Sequence, residues 1–517
     1  MKIPRPDLLF VNCRVLTMDD QHPVAESVAI TGDRVTWVGS DRDSDGLISG
    51  ANRVINGLGR TLIPGFHDAH IHFLAYAASF QAVDCRPSSV SSILDIKNSI
   101  EDRAKSTMPG QWIRAVGYSE FDLLEGRHPT RWELDQAAAD NPVRLIHRSG
   151  HACVLNSRAL DLAGITDSTP EPPGSTILRD LNTGAPNGVL LEMDDFLEGK
   201  IPAPTIQELA SDVAEASQAL ASLGITALQD ATPSNSISRW ETFGALKSDD
   251  TLSQRVTFMI GGESTTKFLR SGAVRDSKDM NLRIGAAKLM VTKTSGSLFP
   301  DVTAIHETVR KLDNKGFQVA IHAVESEAVS AGAEAIAWTR TSGSQLRHRL
   351  EHCSEMPPVT LEQVVASGAI VVTQPGFVYA SGRRYLAETA AADHPWLYRI
   401  GGLRKAGTRL AFGSDAPVID PNPMLGIYSA VSRKSQDGNV VAFDESISLH
   451  DALEAYTLGS AFAGRMESHL GAIKPELLAD MVLLDRDVTT IEQAELTEIQ
   501  VNNTVIGGAM AWDIEDQ

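Results

Sequence analysis

The chain has 517 residues, 42% of them hydrophobic and 22% charged, with a formal net charge of −20. That length exceeds one simple core, so two or three domains of ordinary globular composition are expected. The acidic balance excludes a nucleic-acid surface, because no stripe of Lys and Arg is gathered to neutralise phosphates. Excess Asp and Glu keep a surface soluble and do not identify a partner.

Four cysteines, Cys13, Cys85, Cys153 and Cys353, are widely spaced with no CxxC pair. This argues against a disulfide framework or zinc–cysteine site and for a reducing compartment. Met1-Lys2-Ile3-Pro4-Arg5-Pro6-Asp7 lacks a charged region followed by an apolar run and cleavage site. No stretch is apolar for long enough to span a bilayer. A cytoplasmic protein without a membrane partner is the expectation.

From Asp7 to Asn56 the pattern is short strands and turns: Leu8-Leu9-Phe10-Val11, Arg14-Val15-Leu16-Thr17, then Ser27-Val28-Ala29-Ile30 and Val35-Thr36-Trp37-Val38-Gly39 around the Gly32-Asp33 turn. So few strands bury little apolar area, so the unit looks incomplete. Next comes Thr61-Leu62-Ile63-Pro64-Gly65-Phe66-His67-Asp68-Ala69-His70-Ile71-His72. It reads as an apolar run, a Pro-Gly break and a His-x-His at a strand end. Residues i and i+2 of a strand share a face, so His70 and His72 point the same way, an arrangement suited to a divalent metal.

Residues 80–203 carry strand-like Trp112-Ile113-Arg114-Ala115-Val116-Gly117 and Val143-Arg144-Leu145-Ile146-His147, and a helix near Ser157 to Leu162. They read as an insertion on the active-site side, with Trp112, Tyr118 and Trp132 in its core. Beyond it, strands alternate with helices such as Pro204 to Leu223 and Val302 to Lys315, the pattern of a parallel α/β fold. Seven strand candidates follow the first: Ile225–Asp230, Val256–Ile260, Ala286–Val291, Gln318–His322, Arg349–His352, Ala369–Gln374 and Arg409–Asp415. Eight units predict a (β/α)8 TIM-like barrel with its chemistry at the C-terminal strand ends. Strand-like Ala479–Asp485 and Val501–Gly508 then complete the β unit begun at the other end. The expected division is 1–58 and 469–517 for a β-sandwich built from both chain ends, 59–79 for barrel strand one, 80–203 for the insertion and 204–468 for strands two to eight.

Four strand ends answer the His-x-His: Lys288 within the fourth strand, His322 ending the fifth, His352 the sixth and Asp415 the eighth. Any one alone is weak, but their ordered appearance on successive barrel strands points to a metal site. The chain here resembles the amidohydrolase superfamily, and within it the YtcJ-like, type 3 amidohydrolases that include N-substituted formamide deformylases. The motifs that carry the resemblance are Pro64 to His72, Arg148-Ser149-Gly150-His151-Ala152, Asn187-Gly188-Val189-Leu190-Leu191-Glu192, Gly224-Ile225-Thr226, Arg349-Leu350-Glu351-His352, Gly413-Ser414-Asp415-Ala416-Pro417-Val418 and Gly471-Ala472-Ile473-Lys474-Pro475.

The resemblance implies that His70, His72 and Asp415 bind a buried metal, with His322 and His352 serving a second. Zn2+ is expected, as one or two ions, with other divalent metals as alternatives. Lys288 would bridge two ions if carboxylated; uncarboxylated, it would form an ion pair or face substrate. Glu192 is the other candidate bridge. Such a metal lowers the pKa of a bound water and polarises a scissile carbonyl, and Asp415 would act as general acid and base. The implied activity is cleavage of a C–N bond in a small non-peptide amide, formamide or cyclic amide. A deaminase or other carbonyl-derivative hydrolase on the same site, or a non-catalytic regulator on the scaffold, are the alternatives.

His151 is placed either at the substrate carbonyl or its oxyanion, or as a histidine fixing the insertion. Gln374, Phe377 and Tyr379 either line the pocket or pack within their loop. Two departures from the family pattern bear on the substrate. Thr292-Lys293 stands where Asp-Gly is usual, and Glu325-Ser326-Glu327 follows His322 where Gly-Asp is usual. Lys293 is therefore a second lysine competing for a place in the site. A homodimer is a candidate assembly on symmetry grounds alone.

Overall fold

A computed structural model describes residues 4–202, 206–271, 279–293 and 296–516. Eight strands form one sheet in which every neighbour is parallel and the spatial order follows the chain. They are β1 (Phe66–Ile71), β2 (Ile225–Asp230), β3 (Arg255–Gly261), β4 (Leu282–Met290), β5 (Val319–Ala323), β6 (Arg349–His352), β7 (Ile370–Thr373) and β8 (Leu410–Phe412). The last strand returns to the first through Asp415 N–H donating to His70 O (2.7 Å) and His72 N–H to Ala416 O (2.9 Å). The barrel expectation is borne out.

Strands covered on both faces read as continuous apolar runs, and Ile370-Val371-Val372-Thr373 is buried throughout. The helices between strands are set by their own caps and stripes. Val302–Asn314 begins where Asp301 accepts the Ala304 N–H (2.8 Å), and it buries Ile305, Val309 and Leu312. Helix Ile206–Ser222 precedes β2; Pro204 and Thr205, read as its start, lie outside the described residues.

The chain ends meet in two sheets. One orders Arg34–Gly39, Ser27–Thr31, Leu8–Val11 and Arg53–Asn56; the other contains Met481–Leu484, Thr61–Pro64 and Arg14–Leu16 as neighbours. Both bury side chains in one cluster that includes Phe10, Val28, Ile30, Leu62, Met481 and Val505. Thr61–Pro64 therefore belongs to this unit, not to the barrel strand into which 59–79 was read. The break is at Gly65, whose N–H donates to Asp480 O (2.9 Å). A Cβ there would sit 2.1 Å from Thr226 Oγ1, so only glycine lets the chain pass this close to β2. Arg255 at the base of β3 ties the unit to the barrel, donating to both Asp480 carboxylate oxygens at 2.7 and 2.9 Å.

Between β1 and β2 a separate six-stranded sheet runs in the order Thr176–Arg179, Pro186–Leu191, Ala152–Leu155, Val143–His147, Ile113–Tyr118 and Val83–Asp84. It has its own core, with Ile93, Ile96 and Ile100 of helix Ile93–Ser106 packed on Val143, Leu145 and Tyr118. Trp112 is partly buried, but Trp132 is exposed beneath the Arg131 guanidinium, contrary to its reading as core. The insertion is fastened over the barrel by Arg148 Nη2 donating to Ser381 Oγ (2.7 Å) and Arg383 Nη2 to Asp122 Oδ1 (3.0 Å). All four cysteines are buried and free. No described helix is long and apolar enough to cross a membrane.

Candidate metal centre

The site begins where β1 and β8 are locked together. Asp68 accepts the backbone N–H groups of His70 and Ser414, both at 3.0 Å, and the Ser414 hydroxyl at 2.5 Å. β8 stops at Phe412, so Asp415 is not the strand end the sequence suggested. It stands three residues on, in the left-handed region at φ 59°, which turns its carboxylate back over β1. Asp415 Oδ1 lies 3.0 Å from His72 Nε2 and 3.5 Å from His70 Nε2. Ligand atoms of His70, His72 and Asp415 all fall within 4.8 Å of one another.

The remaining candidates converge from the adjoining strands. Lys288 Nζ of β4 is 3.3 Å from His70 Nε2. The His352 ring centroid is 4.8 Å from that of His70 and 4.5 Å from that of His322 on β5. His352 also has a left-handed backbone, at φ 69°. That breaks the strand alternation, so Glu351 and His352, though consecutive, both reach the barrel interior. His151 arrives from the insertion with its ring 5.4 Å from His322.

Four of these rings share one arrangement, an Nδ1 held by a side-chain oxygen. The pairs are His70 with Glu351 (2.5 Å), His72 with Thr232 (3.2 Å), His352 with Gln374 (2.9 Å) and His151 with Glu192 (3.0 Å). At His70, His72 and His352 such partners fix the ring orientation and tautomer and leave Nε2 free to serve as a ligand atom. His352 Nε2 and Asp415 Oδ1 are buried and have no well-directed hydrogen bond. Buried polar atoms are rarely left so. Nitrogen and carboxylate donors of this kind fit a divalent ion such as zinc.

The electrostatics favour neutral imidazoles. Burial, reinforced by Lys288, pushes His70 well below the usual range; burial and the neighbouring His352 do the same to His322. His352 falls to about 4, chiefly through burial. Burial brings the Lys288 amine down to about 8. At Asp415 burial works upward, but His72, His70 and His352 outweigh it and hold the carboxyl well below its ordinary value. Burial likewise opposes charge on His151, and the Glu192 carboxylate more than offsets it.

Some sequence candidates go elsewhere. Lys293 donates to Glu327 Oε1 (2.7 Å) in an exposed ion pair and does not join Lys288. The Glu192 carboxylate meets His151 Nδ1 at 3.0 Å. Phe377 and Tyr379 lie in the helix Gly376–Glu388 rather than in a loop, where Phe377 meets Tyr398 and Tyr379 meets Tyr428 edge-on. Gln374 reaches the site, as the partner of His352. Asp68, Thr232, Arg349 and Glu351 were not singled out as site residues. A signal for two of them existed: Arg349 and Glu351 are alternate residues of a barrel strand, so two charges share its inner face.

The amidohydrolase family model matches residues 53–511. N-substituted formamide deformylase of Arthrobacter pascens is 29% identical over 98% of this chain and 98% of its own length. Putative amidohydrolase YtcJ of Bacillus subtilis (strain 168) is 26% identical over 96% of this chain and 98% of its own. Among solved structures, an uncharacterized metal-dependent hydrolase from Pyrococcus horikoshii OT3 superposes with a TM-score of 0.75 at 22% identity, covering 94% of this chain and 99% of that one. With the match running from residue 53 through the insertion and every barrel strand to residue 511, the chain belongs to the amidohydrolase family.

Proposed function

We propose that this protein is a metal-dependent hydrolase that cleaves a C–N bond in a small non-peptide amide, with N-substituted formamides the first substrates to test. The observation that carries the reading is the convergence of His70, His72 and Asp415 at the C-terminal mouth of the barrel, with His151 of the insertion set against His322. The formamide deformylase relative supports the substrate class.

His70, His72 and Asp415 would hold one zinc ion, and His322 and His352 a second, with carboxylated Lys288 between them. Metal held there supplies an acidified water and polarises the scissile carbonyl. Asp415, whose carboxyl stays ionised through ordinary pH, accepts the proton of the attacking water and delivers it to the leaving nitrogen. His151, whose imidazolium form the Glu192 carboxylate favours, donates Nε2–H to the carbonyl oxygen as negative charge develops on it. The Glu192 backbone, at φ 52°, is itself in the left-handed region, consistent with a side chain aimed for a purpose.

A panel of N-substituted formamides, N-acyl amines and cyclic amides, assayed with zinc-loaded enzyme, tests the reading. Amine release from at least one class is expected. Ammonia release instead would assign a deaminase, and silence across the panel with metal bound would refute amide hydrolysis.

A further inference from the structure

Beneath the metal centre a chain of buried polar side chains crosses the barrel interior. The Glu351 carboxylate is fully buried and accepts from Arg349 Nε (2.5 Å) and Nη2 (2.9 Å), and it faces His70 Nδ1 at 2.5 Å. Arg349 is itself immobilised: Nη2 also donates to Ala69 O (2.8 Å), and Nη1 donates to Gln229 Oε1. Gln229 Nε2 in turn meets Ser460 O (2.8 Å) and His67 Nε2 (3.1 Å).

As a stability device this pair is a poor choice, because desolvating two charges costs as much as their attraction returns. Its geometry answers a different need. With the guanidinium donating to both its oxygens, Glu351 presents only lone pairs to His70. The hydrogen at that contact must then lie on Nδ1, which leaves the Nε2 lone pair facing Lys288 and Asp415.

We infer that Glu351, oriented by Arg349, is a positioning residue that holds His70 in the Nδ1–H form and so turns Nε2 toward the metal. The inference rests on the metal reading above, and the test separates the two. Zinc affinity is measured by competition with a chelating dye for the wild type and for Glu351→Gln. The carboxamide sets an N–H group against Arg349, so it cannot keep both contacts. The dissociation constant is expected to rise about 10–100-fold, the usual effect of removing such a partner. Should the stranded Arg349 unfold that variant, Arg349→Met combined with Glu351→Leu removes the charge as well and is expected to show the same loss. Folding of each is followed by circular dichroism of the metal-free protein. Nitrogen-15 NMR of histidine-labelled, metal-free wild type reads the tautomer directly, with the His70 signal assigned by a His70→Asn variant. An Nδ1–H ring is expected. An Nε2–H ring, or wild-type zinc affinity in a folded variant, would overturn the positioning role. Wild type that binds no zinc would overturn the metal reading, and this role with it.

Discussion

Gly413 is where the closeness of β1 and β8 can be tested. A Cβ at this position would lie 2.5 Å from His70 N, 2.8 Å from Asp68 Oδ1 and 3.0 Å from His70 Cβ. Ordinary van der Waals contact begins near 3.4 Å, so Gly413→Ala must drive the two strands apart by about 1 Å. The Ser414 N–H to Asp68 Oδ1 hydrogen bond that crosses between them, now at 3.0 Å, would stretch past the limit at which it still counts. Overpacking of this kind costs about 1–3 kcal/mol of stability. The larger effect is on function, because His70 and Asp415 sit on the two displaced segments and a 1 Å misplacement costs on the order of 100-fold in rate. We therefore expect a folded protein with a modestly lower melting temperature, weakened zinc affinity in dye competition, and kcat reduced about 100-fold at saturating zinc. Wild-type zinc affinity and turnover in Gly413→Ala would refute the argument that strand spacing sets this site.

Asp415→Asn should lower kcat about 10²–10⁴-fold with metal supplied in excess, since the carboxamide cannot take a proton; steady-state kinetics beside metal analysis separate this from metal loss. His151→Ala should lower kcat about 10²–10³-fold, the effect of losing one oxyanion donor, with metal content unchanged. Carboxylation needs the neutral lysine amine, and Lys288 titrates at about 8, so the neutral fraction grows as pH rises through that value. Stimulation by bicarbonate should accordingly be small near pH 7 and larger near about pH 9, and should vanish in Lys288→Ala. Lys293→Ala should change stability by no more than about 0.5 kcal/mol and leave turnover near wild type, because an exposed ion pair contributes little; thermal melting and the amide assay check it.

Much of this architecture was legible one residue at a time. Strand periodicity and helix stripes are local properties, so the eight β/α units could be counted along the chain, and β6 was read with its observed limits. The His-x-His and the polar residues closing successive strands followed from the same counting, because a parallel barrel brings all C-terminal strand ends to one mouth. Local pattern failed where a backbone turn, not a side-chain period, decides direction. Asp415 and His352 reach the site through left-handed residues, and Gly65 hands Thr61–Pro64 to a sheet in which its neighbour Met481–Leu484 lies more than four hundred residues away. No spacing rule foretells such departures, since each is held by contacts distant in sequence. The same holds for the oxygens that clamp Nδ1: Glu351 meets His70, Thr232 meets His72 and Glu192 meets His151 only after the barrel closes and the insertion docks. By itself the sequence determined which residues offer the donor groups of the candidate metal site, because that depends on side-chain type and strand order. Which nitrogen each histidine presents, and which lysine stays inside, was decided only by tertiary structure, because both depend on partners that folding alone brings within hydrogen-bonding distance.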